Sequence, residues 1–295
     1  MLKDDAYWPR AATWLQPQDG TSSDLALVGI PAHKTSISST GANHTPAAIR
    51  EALQRYSLES SIGSLESIKA VDAGDLLEPD EAEETSIAFL AELQRRSRLV
   101  VSLGGDNSIT YAAALGSFGD QISSAGLITF DAHHDIRDGR SNGSPVRRLI
   151  EERGLAGSRV VQIGINDFSN SPHYAARARQ LGIHVIHRDE IEKRGVDEVV
   201  AEALAIAGAA GGPIHVDVDV DVCDRAFVPA CPASAPGGIS PFQLRKMVSM
   251  VTASPLVRSL DITEIDATAD AADQRTVRLG ALLILEAAKG LLARR

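Results

Sequence analysis

The sequence predicts an α/β fold: a mostly parallel sheet covered by helices on both faces. Two observations carry this. Apolar, strand-like runs alternate with amphipathic helical stretches along most of the 295 residues. No internal repeat or low-complexity linker interrupts them, so one domain spanning 1–295 is expected. Sheets built from such alternation are buried on both faces, and their ligands bind where the strands run out at their carboxyl ends.

The elements follow in order. LALVGIPA (25–32) and SIKAVDAG (67–74) read as strands, separated by a helix over 46–56. Thr45 before Pro46 gives that helix a cap and a first-turn proline. A helix over 81–96 leads to the strand RLVVSLGG (98–105), and a helix over 108–118 leads to AGLITFDA (125–132). The helix over 145–154 precedes the strand RVVQIGIN (159–166). The next helix, 172–182, ends at Gly182, a residue free to turn left-handed. HVIH (184–187) is a short strand before a helix over 196–210. PIHVDVDV (213–220) and RSLDITEID (258–266) are the last strands, with helices over 240–251 and 276–295.

Composition narrows the function. Net charge is −10, and the basic residues are scattered rather than massed, which excludes a nucleic-acid interface. No apolar run is long enough to cross a membrane, and MLKDDAYWPR lacks the apolar core of a secretory signal. The two cysteines, Cys223 and Cys231, have neither disulfide-framework nor zinc-ligand spacing and read as small buried side chains. A reducing, cytoplasmic compartment is expected.

Three polar clusters end apolar runs: LGGDNS (103–108), FDAHHD (130–135) and DVDVCD (219–224). The last belongs to HVDVDVDVCD (215–224), where aspartates alternate with valines. Side chains two apart in a strand share a face, so one face is apolar and the other carries carboxylates. Two carboxylates about 4 Å apart repel by roughly 4 kcal/mol at an effective dielectric near 20. Water, basic side chains, shared protons or metal ions must offset this. In DAHHD, Asp131, His133 and Asp135 are spaced by two and offer O, N and O ligands suited to a divalent ion such as manganese. His134 would point the other way. Adding Asp219 and Asp221 gives four carboxylates and one imidazole, too many for one ion and suited to a bridged pair. Two ions sharing one water lower its pKa and favour hydroxide at neutral pH.

In order and spacing, GGDNS, DAHHD, DVDVCDRAFVPACPASAPGG and DITEID resemble the motifs of the ureohydrolase (arginase/agmatinase) family, from about residue 25 to 290. That family reads GGDHS, DAHxD, DxDxxDPxxAPGxxxPxxGG and a late VE. The resemblance implies a three-layer α/β/α sandwich assembled as a trimer or hexamer, with a binuclear manganese site and a small-molecule substrate. It implies Asp131, His133, Asp135, Asp219 and Asp221 as metal ligands, and Glu264 as the contact for the substrate's cationic nitrogen group. Asp106 and Asp224 match acidic motif positions in supporting roles, and Gly237 and Gly238 match paired glycines. Asn107 stands where the family has a metal-ligating histidine, which predicts a weaker first metal site. Arg225 replaces a proline and alters a turn. Asp217 has no family role.

The substrate reading rests on SNGSPVRRL, which resembles the SGTPFRQ stretch of formimidoylglutamases. Asn142-Gly143 replaces the His-Gly of arginases and agmatinases, so Asn142 is a candidate substrate contact. Arg147 is the candidate fork for a substrate carboxylate, helped by Arg148 or Arg137. The expected reaction is hydrolysis of N-formimidoyl-L-glutamate to glutamate and formamide by metal-bound hydroxide, with Asp135 and Glu264 catalytic. The alternatives are agmatine or guanidino-acid hydrolysis, and a metal-impaired binding subunit. The loop HKTSISSTGANH (33–44) is expected near the mouth, either as a lid or as ordinary surface, with His33 and Asn43 as candidates.

Overall fold

The computed structural model describes residues 5–294. Nine strands form one sheet: β1 (Gln16–Pro17), β2 (Ser23–Ile30), β3 (Ala70–Asp75), β4 (Ser97–Gly104), β5 (Gly126–Phe130), β6 (Val160–Ile165), β7 (His184–His187), β8 (Ile214–Asp219) and β9 (Val257–Thr263). Their order is β1-β3-β2-β4-β9-β8-β5-β6-β7, and every pairing is parallel. The helices are α1 (Thr45–Ala52), α2 (Glu83–Arg96), α3 (Ile109–Phe118), α4 (Pro145–Glu151), α5 (Pro172–Gln180), α6 (Arg188–Arg194), α7 (Val196–Ala207), α8 (Pro241–Thr252) and α9 (Arg275–Leu292).

Helices α1 and α6–α9 cover one face of the sheet, and α2–α5 cover the other, giving three layers. Every strand and helix expected from the sequence is present, with ends shifted by a few residues. Helix α6 is an addition. Its sequence RDEIEKR has no apolar stripe, and only Ile191 is buried. It is held instead by a capping box and by Arg194, which pairs with Glu190, Glu198 and Glu202.

The two faces differ in a way that positions the site. On the α1/α6–α9 side, one continuous apolar cluster contains Val101 of β4, Val216 and Val218 of β8, and Ile262 of β9. On the α2–α5 side, two apolar clusters stand apart, one around Val28 and Val100, the other around Leu127 and Val160. A polar row separates them. Strand register places Ser102, Asp261, Asp217, Thr129 and Gln162 side by side across β4, β9, β8, β5 and β6. All five are buried. The valines of HVDVDVDVCD thus face one helical layer and its His215, Asp217 and Asp219 the other. Burial of each valine stabilises by up to about 1.5–3 kcal/mol. A buried polar group without a partner costs a comparable amount, so the net worth of this segment depends on what satisfies the aspartates.

Candidate metal centre and its cavity

The four central strands deliver the site from their carboxyl ends. After β4 the chain turns through Gly104 and Gly105 to Asp106 and Asn107. A Cβ at Gly105 would lie 1.9 Å from the Ala32 carbonyl oxygen, so only glycine lets the turn pack there. β5 runs into Asp131, His133 and Asp135, β8 ends at Asp219 with Asp221 just beyond, and β9 is followed by Glu264. Asp135 and Glu264 have φ of 51° and 63°, the left-handed region that L residues populate sparsely.

Asp131, His133 and Asp221 form a group with one ligand atom each within 4.8 Å of one another. His133 Nδ1 is 2.7 Å from Asp221 Oδ2 and 3.5 Å from Asp131 Oδ1. Backbone donors fix the carboxylates: Ala132 N–H donates to Asp221 (3.0 Å), His133 N–H to Asp131 (2.6 Å) and Asp221 N–H to Asp219 (2.8 Å). Burial, then Asp135 and Asp221, pushes Asp131 well above the usual carboxylate range, and burial with Asp221 and Asp131 does the same to Asp219. Burial opposes charge on His133, but Asp221 and Asp131 outweigh it and lift the imidazole to about 12. Asp131 Oδ2 is buried without a hydrogen-bond partner. Hard oxygen donors in excess, one imidazole and an unpartnered buried oxygen fit a divalent cation, whose binding would displace the imidazole proton.

Asn107 sits differently from the ligand expected. Its Oδ1 accepts from the hydroxyls of Thr110 (2.8 Å) and Thr263 (2.9 Å), and its Nδ2 donates to Asp135. The Asp135 oxygen accepts that bond, and the two threonine hydroxyls hold the amide oxygen away, so the amide nitrogen faces the site. Asn107 therefore orients Asp135 and offers no ligand oxygen. Its backbone N–H also donates to Glu264 Oε1 (2.7 Å), which accepts from Asn142 Nδ2 (2.9 Å) as well. Burial pushes both Asp135 and Glu264 up to about 7.

A cavity of about 270 Å³ opens over this group. Its wall includes Asn107, His133, Asp135, Asp219, Asp221 and Glu264, together with Asn142, Gly143 and the exposed Arg137. Arg147 is elsewhere, a correction to the sequence reading. Its guanidinium donates to the carbonyls of Arg137 (2.8 Å) and Gly139 (2.6 Å) and pairs with Glu151 and Glu152. Arg148 is likewise consumed, by Glu83 and Glu152, over the face of Tyr111. Arg137 is exposed, lines the cavity and has no side-chain partner among the described residues. His134 also reaches the wall, but its Nδ1 bonds Gln162 Oε1 at 2.7 Å.

The 33–44 loop is pinned at several points. His33 and Lys34 N–H groups donate to Asp80, Ile37 N–H to Asn142 Oδ1 (3.0 Å) and Gly41 N–H to Asp266 (2.8 Å). Ile37 and Ser38 line the cavity, whereas His33 and Asn43 do not. Asn170, Ser171 and Tyr174 also line it, and no signal in the sequence marked them. Asp224 braces the following loop by accepting from Ala226 (2.8 Å) and Gly237 (2.7 Å). Arg225 donates to the Cys231 carbonyl (2.9 Å). Both cysteines are free and buried.

Asp217 lies beneath the site, fully buried, opposite Asp261 in register, and neither of its oxygens accepts a hydrogen bond. Asp261 already accepts from Val218 N–H (3.3 Å) and lies 3.1 Å from His215 Nε2. Burial, then Asp261, pushes Asp217 well above the carboxylate range. A raised carboxyl costs nothing below its unfolded pKa of about 4 and costs progressively more as pH rises above it. Asp217→Asn can donate to Asp261 without needing a proton. It is expected to stabilise the metal-free protein by about 1 kcal/mol or more at neutral pH, with the gain vanishing near pH 4. Thermal unfolding of both proteins across pH checks this; a lower Tm for the variant at neutral pH would refute it.

Among the described residues no helix is long and apolar enough to cross a membrane. The sequence matches the arginase family over residues 23–289. It is 36% identical to a formimidoylglutamase of Halalkalibacterium halodurans, covering 97% of this chain and 93% of that one. The structure is similar to the crystal structure of formimidoylglutamase from Bacillus subtilis, with a TM-score of 0.91, 31% identity and coverage of 98% and 94%. It also shares its fold with a Trypanosoma cruzi formiminoglutamase solved with Mn2+, at a TM-score of 0.88, 24% identity and coverage of 98% and 100%. With the match spanning nearly the whole sheet and every strand end that builds the site, the chain belongs to the arginase family of hydrolases.

Proposed function

We propose that the chain is a formimidoylglutamase, hydrolysing N-formimidoyl-L-glutamate to L-glutamate and formamide. The carrying observation is the lining of the cavity, which combines buried carboxylates with the exposed Arg137 beside Gly143, a guanidinium without a partner among the described residues. The proposed substrate has a cationic formimino group on its α-nitrogen, one carboxylate on the adjoining carbon and a second at the end of its side chain, within the class of anion a guanidinium recognises. Agmatine is cationic at both ends, so Arg137 would repel its tail.

Asp131, His133, Asp135, Asp219 and Asp221 would hold manganese, two ions per subunit, with Asn107 leaving one site short of a ligand. When bound, manganese supplies Lewis acidity that lowers the pKa of water at the site. Glu264 binds the amidinium, and Asn107 N–H and Asn142 hold its carboxylate in place. Arg137 fixes a substrate carboxylate. Asp135, oriented by Asn107, carries a proton to the leaving nitrogen. The reading includes a place in histidine degradation, a cytoplasmic location and a homo-oligomer, a trimer or hexamer, which light scattering would test.

A substrate panel on manganese-reconstituted protein tests the activity. Formamide release from N-formimidoyl-L-glutamate is expected; urea release from agmatine or a guanidino acid instead would refute the assignment. The arginines separate in the same assay. Arg137→Gln is expected to raise KM roughly ten- to hundredfold, the worth of about 1.5–3 kcal/mol for a charged hydrogen bond, with little change in kcat. Arg147→Gln should leave KM near that of the wild type. The reverse ranking would return the carboxylate contact to Arg147.

A further inference from the structure

A second cavity, of about 570 Å³, lies at the opposite pole of the sheet, where β8 and β9 begin. It is lined by Gln94 of α2, Ser117 of α3, Gly211 and Gly212 before β8, and Leu256 and Arg258 at the start of β9. Three polar atoms of its lining residues are buried without hydrogen-bond partners: Gln94 Oε1, Ser117 Oγ and Arg258 Nε. Gln94 is only 7% exposed, and its single side-chain bond is Nε2 to the Ser97 carbonyl, at 3.1 Å.

Charge is also unbalanced here. Arg258 makes one contact, from Nη2 to the same Ser97 carbonyl at 3.3 Å, and has no carboxylate partner among the described residues. Arg294 donates to the carbonyls of Thr252 (2.6 Å) and Val257 (2.7 Å) and also lacks a carboxylate among them. Burial, with Arg98 and Arg258 adding, draws Arg294 down to about 10. Arg95, also on the wall, is taken by Glu92, and the carboxylate on the wall is the exposed Asp120. A half-buried guanidinium without a nearby carboxylate is costly, and a bound anion would offset that cost.

We propose that this cavity binds a small oxyanion, a phosphate or a carboxylate, with Arg258 as its counter-charge and the Ser117 hydroxyl donating to it; Gln94 Oε1, an acceptor, pairs only with the protonated oxygen of a hydrogen phosphate. The site is separate from the acidic cavity and does not depend on the substrate assigned there.

The manganese-loaded protein is titrated with inorganic phosphate and, separately, with succinate by calorimetry, and the same titrations are followed by amide chemical shifts on protein loaded with diamagnetic Mg2+. Saturable binding with a Kd of about a millimolar or tighter is expected for one of them, and which one binds identifies the oxyanion class. Binding should move the amides of Gly116 and Gly212, weaken at least about tenfold in Arg258→Gln, and persist in Arg137→Gln. Absence of saturable binding by either anion overturns the proposal. So does binding that is lost in Arg137→Gln and kept in Arg258→Gln. Should Arg258→Gln fail to fold, the wild-type shifts decide: movement at Asn142 and Gly143 in place of Gly116 and Gly212 overturns it.

Discussion

Asp221→Asn is expected to lower kcat/KM by more than about a hundredfold, beyond the usual cost of removing an outer partner of a metal ligand. It should also reduce the manganese retained per chain. Asp221 joins two strand ends: it accepts from Ala132 N–H after β5, and its own N–H donates to Asp219 at the end of β8. Burial disfavours its charge, yet His133 beside it and the Ala132 N–H hold its carboxyl below the ordinary range, so it stays ionised. Asparagine keeps the Ala132 bond through its own oxygen and removes the charge. The fold should therefore survive while the cation loses a ligand. Metal analysis and kinetics on the same preparation check this; wild-type metal content with wild-type kcat/KM would remove Asp221 from the ligand set.

The alternation of aspartate and valine in β8 makes its two faces legible from sequence alone. The three clusters ending β4, β5 and β8 are legible because parallel sheets place ligands at strand ends. Legibility fails where roles depend on side-chain direction rather than strand phase. Arg147 and Arg137 are ten positions apart in one polar segment, and the helical position of Arg147 suggests an ordered fork. Only the fold shows that backbone carbonyls and two glutamates occupy it, leaving Arg137 on the cavity wall. Asn107 fills a ligand's place in the motif, but Thr110 and Thr263 turn its oxygen away, and the Thr263 contact is a long-range one that the local sequence does not carry. Helix α6 is illegible for another reason. Its stability comes from ion pairs and a capping box, which leave no hydrophobic period to read.

Glu264→Gln is the second large effect expected. Glu264 is 4% exposed, stands in the left-handed region just past β9, and its Oε1 receives both Asn107 N–H and Asn142 Nδ2. Glutamine keeps an oxygen for those two donors and the same backbone demand, so position is preserved and charge is lost. A hydrogen bond to a charged group contributes about 1.5–3 kcal/mol, which sets a loss of roughly ten- to hundredfold in kcat/KM for an amidinium substrate. The pH profile separates this role from a structural one. Burial, with Asp106 adding, raises the carboxyl to about 7, so it is protonated below and ionised above that value. Only the ionised form attracts the cation, so wild-type kcat/KM should rise with pH through a limb at or somewhat below 7, where bound metal charge would draw it. Glutamine cannot titrate, and the variant should lose that limb as well as the rate. A variant that is slow but keeps the wild-type limb would assign that limb to Asp135, which burial also lifts to about 7, and would leave Glu264 holding the loop around Asn142.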